Sequence, residues 1–269
     1  MKRIHATAVV EDGVQLQDGV VIGPNCFIGS GSTIGEGTVL EANVVIDKNV
    51  VIGKRNHLFP SCVVGGVPQI LGLRSDAELG GLIIGDNNTI REQVTIHPSM
   101  HHGSFTKIGS DNLLMIGVHI GHDCVLEDKA VVSNFTQMSG HCKIETGVWL
   151  SGVVLLHQFV TVGRWCYAAG LTGINKDVPP FLIVSGHYPP TIRGVNKRGL
   201  SRAGLNEKQQ RAIYDAYRRL YRDDKVPLLQ KAKQMAKEKG LDENVRDMLD
   251  AIIRSSEHRF GRYLETFRD

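Results

Sequence analysis

An aliphatic residue stands at every sixth position along most of the chain. The series opens Ile4, Val10, Leu16, Ile22, Ile28, Ile34, Leu40, Ile46, Ile52, Leu58, Val64. The phase breaks, returns at Ile84, Ile90, Ile96, and misses one beat in a His- and Gly-containing loop. It then runs Ile108, Leu114, Ile120, Leu126, Val132, Met138, Ile144, Leu150, Leu156, Val162, and closes with Ala168 and Ile174. A helix would repeat near 3.6 and a half-buried strand at 2. A period of six held this long predicts a parallel β-helix of hexapeptide repeats. Each hexapeptide makes one short strand and a turn, and three make a triangular coil. The aliphatic residue points inward, onto residues eighteen before and after.

A second inward slot follows four places later. It holds Cys26, Cys62, Cys124, Cys142 and Cys166, and elsewhere Val, Ala, Thr, Ser or Asn. The five cysteines are therefore expected to be buried packing groups, with Cys124 and Cys142 stacked on adjacent coils. Their odd number and the lack of a CxxC pair argue against a zinc cluster or a disulfide framework.

Two interruptions, Gly65–Leu82 and about Pro98–Thr106, are expected to project from one face and to serve binding. Asp177-Val178-Pro179-Pro180 is expected to end the solenoid, since proline cannot continue a strand ladder. A β-helical domain over 1–190 and an α-helical domain over 191–269 follow. In the second part, Asn206 with Gln209 forms a capping-box pattern, and Ile213, Ala216, Tyr217, Leu220 and Tyr221 make a helical stripe. Pro227 suits a first helical turn and Gly240 a stop, and a last helix is expected over about Asn244–Arg254.

Composition changes this picture little. Glycine is frequent (30 residues) and aromatics are 6%, which suits short turns and thin layers. No apolar stretch approaches the ~18 residues of a membrane span. Met1-Lys2-Arg3-Ile4-His5 has no apolar run behind it, so no signal peptide is expected. A cytoplasmic protein without stable membrane insertion is the expectation. Charge is uneven: residues 191–269 hold 19 Lys and Arg against 12 Asp and Glu, while the rest is acidic. The basic end suits either an acidic partner or an ordinary solvated helical surface.

The chemistry concentrates where His119-Ile120-Gly121-His122-Asp123 falls in the repeat. His122 lies two places after Ile120, on the outer face. The same phase on the next coils gives Gly140 and Gln158, and one place further lies the column Asp123, His141, Phe159. Coils stack at about 4.8 Å, so Asp123 and His141 should be neighbours. His157 follows Leu156 on the same side. An imidazole with a reference pKa of ~6.5 is a usable base, and a carboxylate beside it fixes its tautomer. Gly140 leaves its backbone N–H approachable by an oxyanion. The alternative from the same residues is a metal site of His97, His119 and His122, since three-histidine zinc occurs in catalysis. Hexapeptide hydratases of the γ-carbonic-anhydrase class bind zinc so, although His119 and His122 are more closely spaced than their histidine pair.

Several motifs carry a resemblance that covers nearly the whole chain. Ser110-Asp111-Asn112-Leu113-Leu114-Met115-Ile116, His119-Ile120-Gly121-His122-Asp123-Cys124, Gly140-His141, His157-Gln158-Phe159, Asp177-Val178-Pro179-Pro180 and Gly194-Val195-Asn196 closely resemble the UDP-N-acetylglucosamine acyltransferases of lipid A biosynthesis. The resemblance implies a left-handed β-helix and a homotrimer with active sites between subunits. It implies transfer of a 3-hydroxyacyl chain from acyl carrier protein to the sugar 3-hydroxyl, with no metal or nucleotide cofactor and no nucleic acid. It makes His122 the base, Asp123 its partner and the Gly140 amide the oxyanion donor. It places His97, His119, His141, His157, Gln158, Asn196 and Arg202 near substrate, and Gly170 at the acyl-chain ruler. Acidic acyl carrier protein becomes the partner of the basic end.

The chain departs from the family in the first interruption. Ile70 and Gly72 stand where an Asp and a Lys are usual, with Arg74 and Asp76 as shifted substitutes, and the loop is two residues longer. Arg198 and Ala203 replace an acidic residue and a second Arg. These departures motivate the alternative of the same chemistry on a different or amino-substituted nucleotide sugar.

Overall fold

A computed structural model describes residues 2–74, 77–222 and 226–268. Three sheets of eleven, nine and eight short strands form the sides of a prism. The chain visits the first, second and third sheet in turn, so each strand pairs in parallel with the one three strands earlier. Val21–Ile22 lies on Val39–Leu40, Phe27–Ile28 on Val45–Ile46, and Thr33–Ile34 on Val51–Ile52. From Ile22 onward every sixth-position aliphatic side chain is at most 2% exposed. Each such burial contributes roughly 1.5–3 kcal/mol. Ile4 is 49% exposed because its coil has no coil beneath it.

The corners explain the polar residues of the repeat. Many coils turn through a residue of positive φ, such as Asn25 (57°), Asn43 (59°), Asp111 (60°) and Asp123 (59°). Asn and Asp tolerate this conformation better than most side chains. Inside one corner the backbone amides are held by an asparagine ladder. Asn56 Oδ1 accepts from the Asn88 amide, Asn88 Oδ1 from the Asn112 amide, and Asn112 Oδ1 from the Ala130 amide. The cysteine slot behaves as expected: all five are free and buried. Their thiols donate to backbone carbonyls, as Cys124 does to Ser139 and Cys142 to His157.

Both interruptions leave the solenoid at the corner between the second and third sheets, one coil apart. Residues 65–80 follow Val63–Val64, and residues 97–104 follow Thr95–Ile96. The coils above and below still stack in register, so the loops stand outside the prism. Ser75 and Asp76, including the substitute acidic residue expected at Asp76, lie outside the described residues.

The two prolines do not end the sheet. Val178 bridges Val162, and Leu182–Ser185 adds another parallel strand on Tyr167–Ala168. Pro179 and Pro180 sit at the corner between them, where no ladder donor is needed. Thr191–Val195 then pairs antiparallel with Leu182–Ser185 and closes the sheet, on the helical side of residue 190.

Helices follow: α1 (Lys197–Arg202), α2 (Glu207–Tyr221), α3 (Leu228–Met235) and α4 (Glu243–Ser256). The capping box forms, with Asn206 Oδ1 accepting from the Gln209 amide and Gln209 Oε1 from the Asn206 amide. Ile213, Ala216, Tyr217 and Leu220 are the buried face of α2. Pro227 precedes α3, which stops at Met235, short of Gly240. The buried residues of the helices and of the solenoid form one continuous core.

Candidate active site

Strand His119–Ile120 ends on the same corner from which the two loops leave, one coil further on. Gly121 and His122 form the turn, and Asp123 completes it at φ 59°. The Asp123 amide donates to Thr106 Oγ1 at 2.8 Å, fixing the turn to the neighbouring coil. His122 Nδ1 lies 2.8 Å from Asp123 Oδ2, and the two side chains are only 13% and 10% exposed. His122 is therefore a sheltered group and not the open surface base that its phase predicts. The loop 97–104 holds its partner Asp123. Ser99 Oγ donates to Asp123 Oδ1, and the Met100 amide to Asp123 Oδ2 at 3.2 Å.

Gly140, one coil on, lies against the other side of the imidazole. A Cβ added there would fall 2.5 Å from His122 Nε2, so only glycine admits the ring in this position. The Gly140 N–H donates no hydrogen bond among the described residues. A free N–H thus stands beside the free edge of His122. His141 crosses His122 edge-on at 4.9 Å between ring centroids, its Nε2 lies 3.9 Å from Asp123, and it stacks flat on Phe159 at 4.5 Å. The neighbour relation expected of Asp123 and His141 is present.

The electrostatics favour an ionised Asp123 carboxylate, with burial disfavouring the charged form of His97, His119 and His141. Burial alone would raise the Asp123 carboxyl, but hydrogen bonds from His122, Ser99 and the Met100 amide outweigh it and hold the group at about 2. An ionised Asp123 accepts only, so His122 Nδ1 carries its proton and Nε2 keeps its lone pair. Burial, with help from His97 and His122, lowers His119 to about 4. His97 is lowered chiefly by burial, and so is His141.

The predicted residues distribute over the prism unevenly. A groove of about 330 Å³ is lined by His122, His141, Gln158, Phe159, Ile70, Met100, His101, Phe267 and Arg268. His119 lies on the second sheet and His97 directly follows the neighbouring strand Thr95–Ile96, their ring centroids 5.1 Å apart. His97 Nδ1 is 2.7 Å from the Gly66 carbonyl, and His119 Nδ1 is 2.9 Å from Thr95 Oγ1. The remaining His97 Nε2 is buried without a partner. His157 is exposed, its Nδ1 3.1 Å from the Gln158 carbonyl, and is not among the groove residues. Gly170 sits at a different corner, between the first and second sheets, and is exposed. Asn196 caps α1, accepting from the Gly199 amide and donating to the Trp165 carbonyl. Arg202 lies over Trp149 and Trp165 at 5.2 and 5.6 Å, on the first sheet and its junction with the third.

The three-histidine metal grouping does not form. His97 and His122 each commit Nδ1 elsewhere, and among the described residues the ligand atoms that converge within 4.8 Å belong to His101, Asp123 and His141. Sequence reasoning missed Ser99, Met100, Phe267 and Arg268 as parts of the site. The first two stand in the His-containing loop already expected to serve binding. The last two carry no repeat phase and gave no signal.

Comparison with known proteins bears on the family and the fold. Residues 177–261 match the family described as UDP N-acetylglucosamine O-acyltransferase, domain 2, and residues 2–36 match the bacterial transferase hexapeptide repeat. An acyl-[acyl-carrier-protein]--UDP-N-acetylglucosamine O-acyltransferase of Anaeromyxobacter is 46% identical over 90% of this chain and 93% of its own length. Its counterpart in Synechocystis is 40% identical over 64% of this chain, and the match spans 61% of that protein. The solved UDP-N-acetylglucosamine acyltransferase of Francisella novicida superposes with a TM-score of 0.87 at 35% identity, covering 96% of this chain and 92% of that one. The Campylobacter jejuni enzyme gives 0.86 at 31% identity, over 93% and 96%. With its hexapeptide prism, its helical end and a corner built around His122, the chain belongs to the UDP-N-acetylglucosamine O-acyltransferase family.

Proposed function

We propose that the chain transfers a 3-hydroxyacyl group from acyl carrier protein to the 3-hydroxyl of UDP-N-acetylglucosamine, the opening step of lipid A biosynthesis. The observation that carries this reading is the His122 imidazole, oriented by Asp123 at 2.8 Å with its free edge against Gly140. His122 Nε2 takes the proton of the sugar hydroxyl as the oxygen attacks the thioester carbonyl carbon. The resulting oxyanion accepts from the Gly140 N–H, and such a donor is typically worth about 10²–10³ in rate. The C–S bond then breaks, and the same Nε2 returns the proton to the thiolate. Asp123 stabilises the imidazolium between the two steps and stays ionised throughout. The thioester brings the activation, so the residues present supply base, orientation and oxyanion contact alone.

The buried His97 Nε2 suits a hydroxyl or amide donor of the sugar, and Gln158 and His141 line the approach. Gly170, Asn196 and Arg202 stand at other corners and edges of the prism from His122. One chain cannot gather them, whereas copies packed side by side bring unlike corners together, and this supports a homotrimer with sites between subunits. Five unpaired cysteines suit a reducing compartment such as the cytoplasm. Among the described residues no helix is long and apolar enough to cross a membrane.

Mass spectrometry of the protein with 3-hydroxyacyl carrier protein and UDP-N-acetylglucosamine tests the reading. An O-acylated sugar nucleotide is expected from the intact chain and almost none from His122→Ala. Unchanged turnover by a folded His122→Ala protein would overturn the assignment of the base.

A further inference from the structure

The column that begins at Asp123 does not stop at Phe159. One coil higher it reaches Asp177, whose side chain the mechanism does not use. Asp177 Oδ1 accepts from the Thr161 amide at 2.7 Å, and Oδ2 from the Tyr263 amide at 2.9 Å. The Asp177 amide donates to the Gly261 carbonyl at 2.8 Å. Arg262, only 7% exposed, donates to the Asn175 carbonyl at 3.0 Å and pairs with Glu265. The segment after α4 is thus pinned to the top of the catalytic corner by backbone and side-chain bonds. From there the short 3-10 turn Tyr263–Phe267 leads downward. Phe267 and Arg268 emerge in the wall of the groove that holds His122 and His141.

The guanidinium of Arg268 lies 5.9 Å from the Phe159 centroid, on the ring that stacks against His141. Its carboxylate contact is loose: Glu265 is 3.7 Å away and already holds Arg262, while the Arg268 side chain is 61% exposed. Among the described residues that line the groove none carries a carboxylate, and Arg268 is the one Arg or Lys. A permanent, planar cation at the mouth of such a groove, whose guanidinium donates no hydrogen bond among the described residues, matches a phosphate oxygen pair.

Resting on the acyl-transfer reading above, we propose that the pinned segment is a strap whose purpose is to deliver Arg268 as a positioning residue for a substrate phosphate. Two sources share that chemistry: the diphosphate of the nucleotide sugar, and the phosphodiester of the pantetheine arm on the acyl donor. Arg268 touches neither the reacting hydroxyl nor the thioester, so its effect falls on binding and not on the chemical step.

The test uses the full-length protein and Arg268→Ala, Arg268→Lys and Arg262→Ala variants. Calorimetry measures Kd for UDP-N-acetylglucosamine and, separately, for 4′-phosphopantetheine, and steady-state assays give KM for each substrate and kcat. Loss of a charge-assisted contact should weaken one of the two ligands by about tenfold or more. Arg268→Lys should recover part of the loss, and Arg262→Ala, which frees the strap, should weaken the same ligand. The ligand affected identifies the phosphate source. If Arg268→Ala moves neither Kd by threefold, the inference is wrong even where the wild type turns over. If the wild type makes no product, the acyl-transfer reading fails, and the calorimetry still decides for or against a phosphate site.

Discussion

Replacing Gly140 by Ala is the sharpest probe of the catalytic corner, because the structure sets its size. The new Cβ would lie 2.5 Å from His122 Nε2, 2.6 Å from Cε1 and 3.1 Å from Cδ2. Ordinary contact needs about 3.5 Å between such atoms, so the ring must retreat by about 1 Å. Gly140 does not have a positive φ, so alanine brings no backbone strain. The strain therefore falls on the imidazole, whose retreat lengthens or tilts the 2.8 Å bond to Asp123. A misplacement of about 1 Å typically costs about 10²-fold in rate, or roughly 2.7 kcal/mol of barrier. Steady-state kcat should fall by that factor while the melting temperature stays within a few degrees. In a His122→Ala background the ring is absent, and the added methyl should cost far less. If Gly140→Ala keeps kcat within threefold of the parent, or costs as much without His122 as with it, close contact with the base is not what the glycine provides.

Asp123→Asn should leave the corner folded yet remove the charge that sets the His122 tautomer; a fall of about 10²–10⁴ in kcat, the range of general-base help, is expected in the same assay. Ile120→Ala opens a cavity in the stack directly ahead of His122 and should cost about 2–5 kcal/mol in urea unfolding. His119 is held down at about 4 by burial, so the folded state resists its protonation and stability should fall as pH drops from about 6.5 toward 4. Denaturation midpoints across that range should flatten in His119→Gln; an unchanged slope would mean that His119 does not carry the effect.

Most of the scaffold was legible because one periodicity decides so much. The sixth-position aliphatics bury as predicted, and counting eighteen forward from Asp123 locates His141 and Phe159 with no further information. The cysteine slot could be placed for the same reason. Contacts that leave the period were not legible. Ser99 and Met100 reach Asp123 from a loop whose path no repeat dictates. Arg268 joins the groove from the far end of the chain, across 109 positions from Phe159. The prolines misled for a physical reason: their missing N–H forbids a strand interior but not a corner, and only the three-dimensional register shows which of the two they occupy.

The column Asp123, His141, Phe159, Asp177 makes the geometry of this site discrete. Each step along it is one coil, about 4.8 Å. A duplication or loss of eighteen residues between Asp123 and Asp177 would keep every inward side chain inward and every ladder bond made. It would nevertheless carry the strap one full step away from the base, or drive it one step into the groove. The fold can change length cheaply in whole coils, but the site cannot. Variation among relatives in this segment should therefore accumulate in the loops that leave the corner, while the count of coils between base and strap stays constant.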